Sequence, residues 1–238
     1  MHKYANPARF SRIANAILPW TFALMLITFG AGLYYALYAS PPDYQQGETV
    51  RIMYIHVPSA AFSLSVYGFM ALASVVFLIW KHPLAALAAK AAAPIGLLFT
   101  GLALITGSVW GKPMWGAWWV WDARLTSVLV QFFLILGYMA LWQVMEDNRK
   151  AAKASAIIAI VGAINLPIIK FSVDWWNTLH QPAGFLKFGP STLDDTFELP
   201  LMIMLAAYLF YFITVLLWRL KAEISERRLE QLARERSG

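Results

Sequence analysis

Six long apolar stretches limit the folds open to this chain more than any other feature of its sequence. A membrane-spanning helix needs about 20 mostly apolar residues, and each stretch approaches or exceeds that length. The predicted spans are residues 18–38, 57–80, 91–109, 125–145, 154–169 and 199–218, and the fifth is the shortest. Only 13% of the residues are charged, against about 25% in an ordinary soluble domain. The sequence therefore predicts an all-α membrane protein with six transmembrane helices.

The distribution of Lys and Arg predicts how these spans are oriented. Of the 19 basic residues, 14 lie in the N-terminal segment, in the second and fourth loops, or after the sixth span. The other five lie in loops one, three and five: Arg51, Lys112, Arg124, Lys170 and Lys187. Because cytoplasmic loops carry an excess of Lys and Arg, both termini should be cytoplasmic. Residues 1–238 then form one integral membrane domain, in which residues 219–238 are a basic, helical cytoplasmic tail.

Tryptophans are concentrated on the predicted outer side of the membrane. Four of the eleven lie singly at cytoplasmic ends of spans, as in an interfacial aromatic belt: Trp20, Trp80, Trp142 and Trp218. The other seven lie in loops three and five, and five of them fall within WGKPMWGAWWVWDAR, residues 110–124. This concentration favours a ligand surface over membrane anchoring alone. Helical spacing of Trp115, Trp118 and Trp119 predicts a short amphipathic segment at the outer surface between helices 3 and 4.

The four histidines divide between the two sides in the same way. His2 and His82 are predicted to be solvated on the cytoplasmic side, whereas His56 and His180 lie on the tryptophan side. A single interfacial histidine is more often a hydrogen-bonded structural residue than a ligand, but two beside an indole-rich surface favour a ligand pair. Asp122 precedes the fourth span and is predicted to cap that helix or to pair with Arg124, with contact to a ligand as the alternative.

Several kinds of chemistry lack their sequence signatures. The chain has no cysteine, which excludes disulfides, iron–sulfur ligation and self-attachment of a c-type heme. It contains neither a G-x-x-x-x-G-K-[ST] motif for ATP nor an H-E-x-x-H motif for zinc. Apart from Lys170 at the end of the fifth span, the spans carry no Asp, Glu, Lys or Arg. This argues against an ion-coupled transporter, which usually has ionisable groups inside the membrane.

Heme is a ligand that fits the outer residues. It is planar and apolar, its iron accepts two axial imidazoles, and its propionates favour arginine. The proximity of His56 and His180 to the tryptophans therefore predicts that they are the axial ligands of a heme. In a chain without an attachment cysteine this would be a non-covalently bound heme b.

Three motifs resemble those of a known family. WGAWWVWDARLTS resembles the WWD signature of heme-handling proteins, and MYIHVPSA and NLPIIKFSVDWWNTLHQP, with six spans, resemble the CcmC family of bacterial cytochrome c maturation. The resemblance runs from about Arg51 to Pro182 and also implies His56 and His180 as the axial pair. It implies candidate propionate-binding arginines at Arg51 and Arg124, and it places the WWD residues on Trp110, Trp115, Trp118, Trp119, Trp121 and Asp122.

The resemblance also implies a cellular role. CcmC-like proteins are non-enzymatic membrane subunits of an ABC-type complex with the ATPase CcmA, the membrane subunit CcmB and the small subunit CcmD. By this resemblance the chain would hold heme at the periplasmic face of the bacterial inner membrane and present it to the heme chaperone CcmE for covalent attachment. Two alternatives remain open from the residues: a membrane b-type cytochrome that transfers electrons, and a permease for another substrate.

Overall fold

Seven α-helices make up most of the computed structural model, which describes residues 6–180 and 193–237. The helices are α1 (Pro7–Tyr34), α2 (Met53–Trp80), α3 (Pro83–Trp115), α4 (Ala123–Val144), α5 (Asn148–Gly162), α6 (Asn165–Trp175) and α7 (Asp195–Ser237). A π-helix, Tyr35–Ala39, continues α1, and a 3₁₀ helix, Glu48–Ile52, leads into α2. Predictions that concern His2, Lys3, Pro182 and Lys187 lie outside the described residues.

Six helical segments within the described residues are long and apolar enough to cross a membrane, which confirms the predicted six-helix architecture. They extend beyond the spans predicted from hydropathy. The third span, for example, was predicted as residues 91–109 but belongs to a helix from Pro83 to Trp115. Hydropathy marks only the part of a helix in the hydrocarbon layer, whereas the backbone continues its helical hydrogen bonds beyond that layer.

The fifth span is built from two helices, although its prediction, bounded by Lys153 and Lys170, was the shortest. Together α5 and α6 cover Asn148–Trp175, with a break at Ala163 and Ile164. Pro167 lies in the first turn of α6, where a missing N–H removes no helical hydrogen bond. The Asn165 side chain donates to the Ser127 carbonyl at 2.8 Å and so ties this break to α4.

Small side chains allow the central helices to approach closely. Along α3, alanines at 89, 91, 92 and 93 are buried, and α2 and α3 lie against each other over much of their length. In membrane helices such residues let backbones pack without a strong hydrophobic driving force. Gln131 of α4 adds a buried polar link by donating to the Ser63 carbonyl of α2 at 3.1 Å. Together these contacts form a packed bundle that supports a cavity at one end.

Four tryptophans lie at the end of the bundle opposite the cavity, where an interfacial aromatic belt was predicted. Three of the four are exposed, as the belt interpretation requires: Trp20, Trp80 and Trp218. Trp142 differs, because it is half-buried and lies beneath the Lys90 ammonium, 5.1 Å from the ring centroid, and the Arg227 guanidinium, 5.8 Å away. Lys90 also pairs with Glu223 at 2.6 Å. Trp142 thus also joins α3, α4 and α7, which the belt interpretation did not predict.

Candidate functional site

A cavity of about 890 Å³ lies among α2, α3, α4, α6 and the beginning of α7. Its volume is within the roughly 300–1,000 Å³ typical of small-molecule and cofactor sites. Five of the predicted site residues line it: His56, Trp110, Trp115, Arg124 and His180. Five others do not: Arg51, Trp118, Trp119, Trp121 and Asp122. The structure thus brings both outer histidines, two tryptophans and one arginine to a single cavity.

His56 is held by residues of α3. It is the fourth residue of α2, and so lies inside the helix rather than in the preceding loop. Its Nδ1 is 3.1 Å from Thr106 Oγ1, and the Trp110 indole meets its ring edge-on with centroids 5.6 Å apart. With Nδ1 engaged, Nε2 is the nitrogen left to bind a ligand.

His180 has a comparable environment, formed by the end of α3 and the residue that precedes α4. It follows α6 in a non-helical segment, and its Nδ1 is 3.4 Å from Asp122 Oδ2. The Trp115 ring lies against it at a centroid distance of 4.6 Å. Burial lowers the pKa of His180 below its ordinary value, although the Asp122 carboxylate opposes that shift. The imidazole is therefore neutral at neutral pH, which is the form that binds iron.

Asp122 contacts both the first turn of α4 and His180. Its Oδ1 accepts a hydrogen bond from the Leu125 backbone N–H at 2.7 Å and caps α4, as predicted. Its Oδ2 is the oxygen that faces His180. A carboxylate beside the second nitrogen of a ligand histidine fixes the ring's orientation and raises its basicity. Asp122 thus contacts His180 although it lies outside the cavity lining.

Arg124 places a cation on the cavity wall. Its Nε donates to Ser172 Oγ at 3.1 Å and its Nη2 donates to the Lys170 carbonyl at 3.2 Å, both on α6. These bonds use two of the five N–H donors of a guanidinium. The remaining donors suit an anionic substituent of a ligand in the cavity.

Arg51, by contrast, contacts other parts of the protein. Its Nη1 donates to the buried Ala36 carbonyl at 2.8 Å, and its Nε pairs with Glu48. The first bond satisfies a carbonyl within the π-helix that ends the first span. Arg51 is absent from the cavity lining, so its assignment to a propionate has only the family resemblance behind it.

The tryptophan run divides between a helix and an irregular loop. Trp110 and Trp115 belong to α3, which ends where Gly116 takes a left-handed conformation, φ +74°, as glycine does after many helices. Residues 116–122 are not helical, so the predicted helical spacing of an amphipathic segment was wrong. Trp118 and Trp121 are 59% and 77% exposed in this loop. Of the other two outer tryptophans, Trp175 is the last residue of α6 and Trp176 is the extended residue that follows it.

Three residues that contact His56 or Trp110 were not identified from the sequence. Thr106 contacts His56, Gln46 Oε1 accepts the Trp110 indole N–H at 2.9 Å, and Gly107 lies directly against the His56 ring. Thr106 and Gly107 are four and three residues before Trp110, and so share a helix face with it. The third span was predicted to end at residue 109. A prediction that continued this helix to Trp110 would have placed Thr106 and Gly107 on the same face as that tryptophan.

Comparison with known proteins identifies the family. The model of the family described as Heme exporter protein C, CcmC, matches residues 1–235. The chain belongs to the CcmC family. It is 55% identical to Heme exporter protein C of Bradyrhizobium diazoefficiens over 228 residues, 96% of this chain and 86% of that protein. Identity is 47% with the Haemophilus influenzae protein, covering 92% and 87%, and 42% with that of Paracoccus denitrificans, covering 98% and 97%.

Membership in the CcmC family establishes the general role: the chain is a heme-handling membrane subunit of cytochrome c maturation and belongs to a system with ABC components. The cavity is consistent with heme handling. In the described part of the chain, no three His, Cys, Asp or Glu side chains converge to hold a bare metal ion. Two imidazoles on one cavity instead suit an iron whose other four ligands come from a porphyrin.

Proposed function

We propose that this chain binds heme b in the described cavity, with His56 and His180 as axial ligands, and presents it to the heme chaperone CcmE. One observation carries the proposal. Two histidines from separate segments line the same aromatic cavity, and each has its Nδ1 engaged by a partner, which leaves Nε2 for iron. Ligand histidines in metalloproteins nearly always have their second nitrogen held in this way.

The tryptophans would take two roles around the bound heme. Trp110 and Trp115 lie against the two imidazoles and would pack on the macrocycle beside each axial bond. The loop tryptophans lie outside the cavity lining and would cover the heme edge that faces the aqueous side: Trp118, Trp119 and Trp121. The five tryptophans of residues 110–124 are thus proposed to form the ligand surface as two inner indoles and three outer ones.

Arg124 would orient the heme. A guanidinium forms paired, charge-assisted hydrogen bonds with a carboxylate, so Arg124 is proposed to hold a propionate at the cavity wall. The opposite, vinyl-bearing edge would then face the loop tryptophans, where a histidine of CcmE could reach it. Arg51 is retained as a second candidate on the basis of the resemblance.

The distribution of basic residues supports the orientation and the partners. The excess of Lys and Arg at the end opposite the cavity supports a cytoplasmic location for that end. The cavity would then face the periplasm of a bacterial inner membrane. The sequence has no ATP-binding motif, so ATP hydrolysis would come from CcmA, with CcmB and CcmD as the other membrane subunits. The chain would itself act as a non-enzymatic subunit, and ATP hydrolysis would help release an axial ligand.

Transfer of heme to CcmE tests this proposal. The protein is purified with its complex from heme-producing cells, mixed with heme-free CcmE, and the heme that stays on CcmE after denaturation is measured. We expect bound heme b in the purified protein and its appearance on CcmE, but none on a CcmE variant that lacks its heme-attaching histidine. Purified protein without heme would favour a permease for another substrate. Reversible reduction by quinol without transfer to CcmE would favour an electron-carrying b-type cytochrome.

A further inference from the structure

Thr106 determines which nitrogen of His56 carries the proton. The Thr106 hydroxyl donates its only proton to the Leu102 carbonyl, one turn earlier on α3, at 2.6 Å. Its oxygen can therefore only accept from His56 Nδ1, 3.1 Å away. The Ala103 carbonyl lies 3.5 Å from the same hydroxyl oxygen, farther than the Leu102 carbonyl. This network assigns the proton to Nδ1 and the lone pair to Nε2.

The same helix face also fixes the position of the His56 ring. A Cβ added at Gly107 would lie 3.1 Å from His56 Cε1, which is tighter than an ordinary van der Waals contact. Trp110 meets the ring edge-on one turn later. The imidazole is thus confined by three residues of α3, and only Thr106 among them contacts a ring nitrogen.

The partners of the two histidines differ in charge. His56 faces the neutral hydroxyl of Thr106, whereas His180 faces the Asp122 carboxylate. A carboxylate partner gives the imidazole more electron density to donate to a metal than a neutral partner does. If both histidines held a heme iron, His56 would therefore be the weaker donor of the two.

We propose that Thr106 is a positioning residue that presents Nε2 of His56 to the heme iron, and that His56 is the axial ligand that leaves first when heme is passed on. The proposal rests on the proposed function, because it requires heme between His56 and His180. It also implies an order of ligand release: the heme would stay bound through His180 after His56 has dissociated from the iron.

Substitutions at Thr106 test the positioning role in the purified, heme-loaded protein. Thr106→Val keeps the shape but removes the acceptor, and we expect heme to dissociate roughly 10–100-fold faster, the range typical for loss of a partner of a ligand histidine. The reduction potential should shift upward, since a less electron-rich imidazole stabilises ferric iron less, and the low-spin electron paramagnetic resonance spectrum should change. Thr106→Ser should restore all three properties. Thr28→Val is the control, because Thr28 makes the same bond to a carbonyl of its own helix on α1.

Carbon monoxide binding to the reduced protein tests which ligand leaves first. If His56 dissociates first, Thr106→Val should accelerate carbon monoxide binding more than Asp122→Asn does. Asparagine is chosen at position 122 because it can still cap α4. Greater acceleration by Asp122→Asn would overturn the assignment of His56 as the leaving ligand. Unchanged dissociation, potential and resonance spectrum in Thr106→Val would overturn the positioning role. A wild-type protein without low-spin heme would overturn the proposed function itself.

Discussion

Replacing either His56 or His180 with alanine is expected to abolish the low-spin heme b absorption spectrum of the purified protein. Each variant removes one axial ligand from an iron that needs two imidazoles to remain low-spin. The fall in heme affinity should exceed the roughly 10–100-fold loss that follows removal of a partner of a ligand histidine. Absorption spectra of the oxidised and reduced proteins, normalised to protein concentration, provide the measurement.

His82→Ala is the matched control for the two histidine variants. His82 immediately precedes α3, at the helix end opposite Trp110 and Trp115, and should keep the wild-type spectrum. An unaltered spectrum in both His56→Ala and His180→Ala would remove both residues from the iron. Loss of the spectrum in His82→Ala as well would point to a general failure of the bundle instead.

Arg124→Ala is expected to give the second-largest effect. Hydrogen bonds to a charged group contribute about 1.5–3 kcal/mol, so loss of a propionate contact should weaken heme retention by roughly 10- to 100-fold. The low-spin spectrum of the heme that remains should persist, because the axial ligands are intact. The measurement is the rate of heme loss to an excess of a heme-scavenging protein, with the thermal unfolding temperature recorded alongside.

Two further arginine variants show whether the effect of Arg124 is specific. Arg51→Ala should lose heme more slowly than Arg124→Ala, since Arg51 lies outside the cavity lining and contacts Ala36 and Glu48. Arg149→Ala, at the predicted cytoplasmic end, should match the wild type. Faster loss from Arg51→Ala than from Arg124→Ala would transfer the propionate assignment to Arg51.

The six-helix architecture could be predicted because the membrane imposes a length on each span. About 20 apolar residues are needed whatever the packing of the bundle, and hydropathy therefore located even the fifth span, which the structure builds from α5 and α6. The ends of the helices could not be predicted in the same way. Cap residues and neighbouring loops determine where α3 ends, and neither contributes to hydropathy.

The composition of the site was easier to predict than its geometry. Histidines and tryptophans are rare enough that their concentration on one side identified His56, His180, Trp110 and Trp115. Whether a tryptophan lines a cavity or lies on a loop depends on a backbone change at Gly116, which the spacing of the indoles does not encode. That Arg124 lines the cavity and Arg51 does not likewise depends on which carbonyls their side chains reach in the folded chain.

Thr106 illustrates a more general limit of sequence interpretation. A threonine inside an apolar helix is ordinary, because its hydroxyl can bond to a carbonyl one turn earlier. Its importance arises only when His56 of another helix is placed beside it. Partners of ligand residues are therefore recognised from three-dimensional contacts, whereas the ligands themselves are suggested by residue type.

A cryo-electron microscopy map of the heme-loaded protein in its complex is the most direct test of the central claim, that the cavity holds heme between two histidines. We predict iron density between Nε2 of His56 and Nε2 of His180, with the ring beside Trp110 and Trp115 and one propionate at Arg124. Heme density elsewhere on the protein, or in the cavity with neither histidine bound to iron, would contradict the account.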